Sequence, residues 1–164
     1  VQFDGNFFME EGIQYIAVFE RYGNQFRPAL GFVKGFNLLK DCAIASSVAH
    51  DSHNLIVVGS SISAMTVAIN ALIEMKGGFV IVKDDQIIAS LALPIGGLIS
   101  LEQEEKITKY LVVLKAAQTK VGILLHEPFL QMAFLALPVI PTLKITDQSL
   151  IDVTHMQKLT LEAA

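Results

Sequence analysis

The sequence predicts an α+β fold: a mixed or antiparallel sheet in β-β-α units, with helices packed on one face. Three observations carry that expectation. Two segments repeat apolar residues at helical spacing, several short runs are rich in β-branched and aromatic residues, and neighbouring runs are joined by short turns. Parallel strands need a crossover of a dozen or more residues, so short turns favour antiparallel pairing. The 164 residues fit one domain, 1–164, long enough to bury about 70% of the unfolded surface. There is no sequence repeat, low-complexity segment or linker.

Strand-like runs occupy residues 13–22, 42–48 and 55–59. The first helix is predicted over 62–76, where Ile62, Met65, Ile69, Leu72 and Ile73 recur at helical intervals. Ser61 can cap its start, and Gly77-Gly78 supplies a stop. Strands at 79–82 and 86–93 flank the polar turn Lys83-Asp84-Asp85, the pattern of a hairpin. The second helix is predicted over 101–121. Ser100 and Gln103 make a capping box, Glu102, Glu104 and Glu105 sit at the positive end of its dipole, and Lys115 and Lys120 sit near the negative end. Ile107, Leu111, Leu114 and Val121 form its buried stripe, and Gly122 ends it. Three further strands are expected at 142–146, 150–153 and 158–161.

Composition narrows the function. Hydrophobic residues make up 52% and charged residues 17%, against about 25% charged in an average domain. With a mean hydropathy of +0.52, some apolar surface is expected to meet another domain or subunit, and a homo-oligomer is expected. The most apolar stretch, 123–140, contains His126, Glu127 and Gln131 and is broken by Pro128 and Pro138, so no bilayer span and no membrane partner are expected. The net charge is −4 and Lys and Arg nowhere cluster, which argues against nucleic acid. Cys42 is the only cysteine. No disulfide framework is possible, a reducing cytoplasmic location is expected, and the thiol reads as a small buried apolar group. The start, Val1-Gln2-Phe3-Asp4-Gly5, has neither an initiator Met nor a signal-peptide pattern, so the chain is expected to be a fragment.

The densest polar cluster is Ser46-Ser47-Val48-Ala49-His50-Asp51-Ser52-His53-Asn54, between two expected strands. His50, His53 and Asp51 have the chemistry to hold a divalent metal or to move protons. The same residues also suit a plain turn, in which Asp51, Ser52 and Asn54 bond their own backbone. Spacing alone leaves these readings open. His126 and His155 are isolated and read as structural. Pro94-Ile95-Gly96-Gly97 lacks the spacing of a dinucleotide or phosphate loop and reads as a tight strand-to-helix connection. Residues 134–141 read as core or interface. No Ser-His-Asp order, Walker sequence or Cys-x-x-Cys pair appears.

Gly35-Phe36-Asn37-Leu38, the run from Ala43 through Asn54, and Val57-Val58-Gly59 together resemble the C-terminal domain of bacterial adenine deaminases. Leu93-Pro94-Ile95, Gly97-Leu98, and Phe134 through Pro141 followed by Leu143-Lys144-Ile145-Thr146 extend the resemblance in the same order, covering about Gly31 to Val153. Upstream it rests only on Phe19-Glu20-Arg21. Asn37 and Ser149 stand where the family is expected to carry glycine, and Tyr22 where it is expected to carry histidine.

The resemblance implies a parent of the amidohydrolase class, acting in purine salvage, that converts adenine and water to hypoxanthine and ammonia. Its divalent metal (manganese, iron or zinc) would sit in an N-terminal barrel with no counterpart in these residues. That barrel is then the implied partner, and the chain alone, with no cofactor and no metal ligand of its own, is expected to be inactive. The implied contributors to the parent's active site are His50, Asp51 and His53 as catalytic candidates, with Ser47 and Asn54 as substrate-binding candidates. Two other readings stay open: an interaction or oligomerisation module of another amidohydrolase, and a small independent metal hydrolase using His50, Asp51 and His53.

Overall fold

A computed structural model describes residues 12–23 and 27–159. The start from Val1 to Gly5, and Thr160 and Leu161 of the last expected strand, lie outside the described residues. The chain runs β1 (Ile13–Phe19), β2 (Ala29–Lys34), β3 (Cys42–Ser46), β4 (Leu55–Gly59), α1 (Ile62–Glu74), β5 (Gly78–Lys83) and β6 (Gln86–Ala92). It continues with α2 (Glu104–Lys120), α3 (Pro128–Leu135), β7 (Leu143–Ile145), β8 (Leu150–Asp152) and β9 (Gln157–Leu159). The first six strands form one antiparallel sheet in the order β2-β1-β4-β3-β5-β6, and β7-β8-β9 form a second. The expected α+β class and antiparallel sheet are therefore observed.

The helices, however, cover both faces and not one. All five residues of β3 and all five of β4 are buried, so neither side of the central sheet faces water. Alternate residues feed two cores. Ala43, Ala45, Leu55, Val57, Val80 and Val82 point to α1, which offers Ala64, Ala68 and Leu72. Small residues on both surfaces let helix and sheet approach closely. Ile44, Ile56, Val58 and Ile81 point the other way, toward Leu114 and Ala117 of α2, Met132 of α3, and Ile145 of the small sheet. Each fully buried Val, Leu or Ile contributes about 1.5–3 kcal/mol, so this two-sided core is the main stabilising term.

Local chemistry explains most element ends. Ser61 accepts a hydrogen bond from the Ala64 N–H and caps α1, as its position predicts. Asp84 and Asp85 have φ of +50° and +56°, the two-residue turn whose twist suits a hairpin. Asn37 adopts φ of +54°, within reach of an asparagine. The start of α2 differs from expectation. The helix begins at Glu104 with Gln103 as its cap, and the Ser100 hydroxyl instead accepts from the Glu102 N–H. The predicted Ser100–Gln103 capping box is absent, because Ser100 closes a turn ahead of the helix. Of the predicted stripe, Leu114 and Val121 are buried, whereas Leu111 is exposed. Strand β2 and helix α3 were not expected from the sequence.

Cys42 is fully buried, its thiol donates to the Lys40 carbonyl at 3.3 Å, and burial raises its pKa above the ordinary value. It packs as a small apolar group. No helix among the described residues is long and apolar enough to cross a membrane.

Candidate functional site

Antiparallel register gathers four distant segments at one end of the large sheet. Phe19 of β1 pairs with Leu55 of β4, Ser46 of β3 pairs with Phe79 of β5, and Gly78 pairs with Ala92 of β6. The end of β1, the β3–β4 loop, the α1–β5 turn and the segment after β6 must therefore meet. The polar cluster from Ser46 to Asn54 is that β3–β4 loop.

Ser47 is the centre of this end. Its buried hydroxyl donates to the Gly97 carbonyl at 2.7 Å and accepts from the Gly78 N–H at 2.8 Å. Its backbone N–H donates to the Gly78 carbonyl at 3.1 Å. One serine thus ties the loop to the α1–β5 turn and to the segment after β6. Two glycines make that approach possible. A Cβ on Gly77 would press on Gly97 Cα and Ser47 Oγ, and a Cβ on Gly97 would enter the Arg21 guanidinium.

Asn54, also buried, closes the other end of the loop. Its carbonyl oxygen accepts the Arg21 backbone N–H at 3.1 Å, and its amide donates to Asp147 Oδ1 at 3.0 Å. The Arg21 guanidinium donates through Nη2 to the Lys76 carbonyl at 2.8 Å and lies 5.1 Å from the Tyr22 ring centre. Asp147, between β7 and β8, ties the small sheet to the same network.

Between these anchors the loop crest carries the ionisable groups. His50 and Asp51 are exposed and His53 is half-buried, with the His50 and His53 ring centres 5.7 Å apart. The His53 backbone N–H donates to the Ala49 carbonyl at 2.6 Å, which tightens the turn, while its buried Nδ1 has no hydrogen-bond partner among the described residues. Sequence reasoning thus found the loop but divided its residues differently. His50, Asp51 and His53 cluster on the crest, whereas Ser47 and Asn54 spend their polar atoms inside the domain. Arg21, Gly77, Gly97 and Asp147 gave no signal as site residues. Of these, Arg21 and Gly97 stand in family-like motifs.

His50 also lines a cleft of about 440 Å³, floored by Phe79, Leu114, Phe129 and Ala133 and edged by Lys115 and Glu127. The Phe79 and Phe129 rings lie 4.7 Å apart beneath it. The isolated histidines fare differently. His126 is exposed, whereas His155 is not isolated: its Nδ1 sits 2.7 Å from Asp152 Oδ2, and this contact lowers the Asp152 pKa below its ordinary value.

The loop does not fit a resident metal. Among the described residues no three His, Cys, Asp or Glu side chains converge as ligands, and a structural site usually needs four. The purified chain is accordingly expected to carry less than about 0.1 equivalent of zinc, manganese or iron by elemental analysis. One tightly held metal per chain, lost on replacing His50 and His53, would contradict this.

The family model for the adenine deaminase C-terminal domain matches residues 2–157. A protein named adenine deaminase from Bdellovibrio bacteriovorus is 50% identical over 162 residues, covering 99% of this chain and 28% of that protein. Its namesake in Shewanella halifaxensis is 48% identical over 159 residues, covering 97% and 27%, and that in Brucella anthropi 52% over 144 residues, covering 88% and 25%. The chain therefore spans about a quarter of the length of these relatives. By a match along almost its entire length, the chain belongs to the adenine deaminase C-terminal domain family.

Proposed function

We propose that this chain is one domain of a longer cytoplasmic, oligomeric adenine deaminase of the amidohydrolase class, and that its β3–β4 loop contributes to that enzyme's active site. The observation that carries the reading is the family match over residues 2–157, with relatives near 50% identity that are named adenine deaminase. The proposed reaction adds water at C6 of adenine and releases ammonia, leaving hypoxanthine. A divalent metal (manganese, iron or zinc) would supply activated water in the amino-terminal barrel of the parent. None of this chain's residues is given a ligand role.

The chain's own share is proton handling. The departing amino group must gain a proton as the attacking water loses one, and an imidazole side chain can both accept and donate a proton in that exchange. His50 is the proposed carrier because it is exposed, sits on the crest, and lines the cleft. Asp51 and His53 stand beside it on the crest as the other catalytic candidates. Ser47 and Asn54 enter as positioning residues, since their bonds to Gly78, Gly97, Arg21 and Asp147 fix both ends of the loop.

The test compares kcat and Tm in the full-length parent. His50→Ala or Asp51→Ala is expected to lower kcat by about 10²-fold or more, the usual share of general acid–base catalysis. Tm should fall by no more than about 2 °C, because an exposed side chain contributes little to packing. Unchanged kcat with a large loss of Tm would assign the loop to structure alone.

A further inference from the structure

We infer that Asp147 is a positioning residue for the proposed reaction: through the Asn54 amide it holds the β3–β4 loop in its working geometry. The small sheet is where the argument begins. Strands β7, β8 and β9 form no ladder with the large sheet, and Ile145 and Leu150 seat them against the core beside β2. Gly31 of β2 allows that seat, because a Cβ there would already stand 3.4 Å from Ile145 Cδ1 and 3.5 Å from Leu150 Cδ2. Among the described residues, a single hydrogen bond joins residues 142–159 to the rest of the domain. It runs from Asn54 Nδ2 to Asp147 Oδ1 at 3.0 Å.

Both partners are braced for this one bond. The Asn54 oxygen accepts the Arg21 backbone N–H, so the amide nitrogen must face the other way, toward Asp147. Asp147 lies in the β7–β8 turn, which is closed twice over. The Thr146 N–H donates to the Ser149 carbonyl at 2.9 Å, and the Thr146 hydroxyl accepts from the Gln148 and Ser149 N–H groups. Among the described residues no Lys, Arg or His pairs with the Asp147 carboxylate, whose one hydrogen bond goes to Asn54. A half-buried carboxylate on a rigid turn is thus directed at the residue that follows His53. Asn54 is the joint between the loop crest and β4, so its drift would carry His53 and His50 with it. A misplacement of about 1 Å can cost about 10²-fold in rate.

The inference rests on reading the β3–β4 loop as part of the parent's active site, and the test separates the two. Asp147→Ala, Asp147→Asn and Lys158→Ala would be made in the full-length parent. Asparagine keeps an oxygen that can accept from Asn54, whereas Lys158→Ala removes only the 2.6 Å bond to Gln148 on the same turn. Asp147→Ala is expected to lower kcat at least about tenfold while KM stays within about threefold. Asp147→Asn should keep kcat within about threefold of the parent, since a neutral hydrogen bond is weaker but still present. Lys158→Ala should leave kcat unchanged. Amide exchange over residues 48–54, read by mass spectrometry, should quicken in Asp147→Ala alone while the centre of β4 holds its rate. Unchanged loop exchange in Asp147→Ala would overturn the inference. So would an equal loss of kcat in Lys158→Ala, or a loss that Asp147→Asn does not restore. If Asp147→Ala loosens the loop and keeps kcat while His50→Ala lowers it, this inference fails and the proposed function stands. Unchanged kcat in His50→Ala would remove the proposed function and this inference with it.

Discussion

Gly78→Ala is expected to cost the domain at least about 4 kcal/mol, enough to remove most of the stability of an ordinary fold. Two effects combine at this position. Gly78 has φ of +136°, which side chains rarely adopt, and such strain costs about 1–3 kcal/mol. In addition, a Cβ would fall inside contact distance of the Leu91 carbonyl oxygen and against Ala92 Cα. Those neighbours are backbone, so no rotamer change can relieve the clash, and Gly78 pairs with Ala92 where β5 meets β6. The strands would have to part at the end of the sheet that carries the β3–β4 loop. Gly96→Ala separates the two effects. Gly96 has φ of +60° with open space around its Cβ position, so it should lose only about 1–2 kcal/mol. Urea denaturation of the two variants decides the point, and equal losses would show that the close approach at Gly78 is absorbed elsewhere.

The sequence carries the strands more clearly than it carries what covers them. Leu55–Gly59 stands out because five consecutive apolar or small residues have a polar loop before them and a cap after them. The same lack of alternation, in β3 as well as β4, is the mark of a sheet buried on both faces, and it accounts for part of the high hydropathy. Strand β2 is hidden because Leu30 and Phe32 are apolar yet exposed, while Gly31 occupies a buried position, so no period of two emerges. Helix α3 is hidden by its length of eight residues and by Pro128 and Pro138, which read as breakers although Pro128 is a favourable first helical residue.

The candidate site divides the same way. A run of polar residues between two apolar strands is visible in one dimension, so the loop itself was legible. Its supports were not. Arg21 meets Asn54 across 33 positions, Ser47 meets Gly97 across 50, and Asn54 meets Asp147 across 93. Only register brings such pairs together, and a serine that ties three segments has the same letter as one that faces water.

Ser47→Ala is accordingly expected to destabilise the domain by about 2–5 kcal/mol although it removes a single oxygen. The Ser47 side chain is fully buried, and its hydroxyl is the partner of the Gly78 N–H and of the Gly97 carbonyl. Deleting it strands one buried donor and weakens one buried acceptor, and each unsatisfied buried group costs about 1–3 kcal/mol. Gly78 cannot turn elsewhere, because its carbonyl already accepts the Ser47 N–H and its neighbour Gly77 lies against Gly97. Water is a poor substitute, since the vacated space is that of one oxygen and a water needs roughly 10–15 Å³ of probe volume and several polar partners. The loss should appear as a lower denaturation midpoint with an unchanged m-value, because the same surface is exposed on unfolding. Amide exchange gives a local readout. The Gly78 N–H is expected to exchange much faster in the variant, while amides in the centre of β4 slow or quicken only with global stability. A loss below about 0.5 kcal/mol with Gly78 still protected would mean that the hydroxyl does not join these segments, and the loop's anchorage would then rest on Asn54 and Arg21.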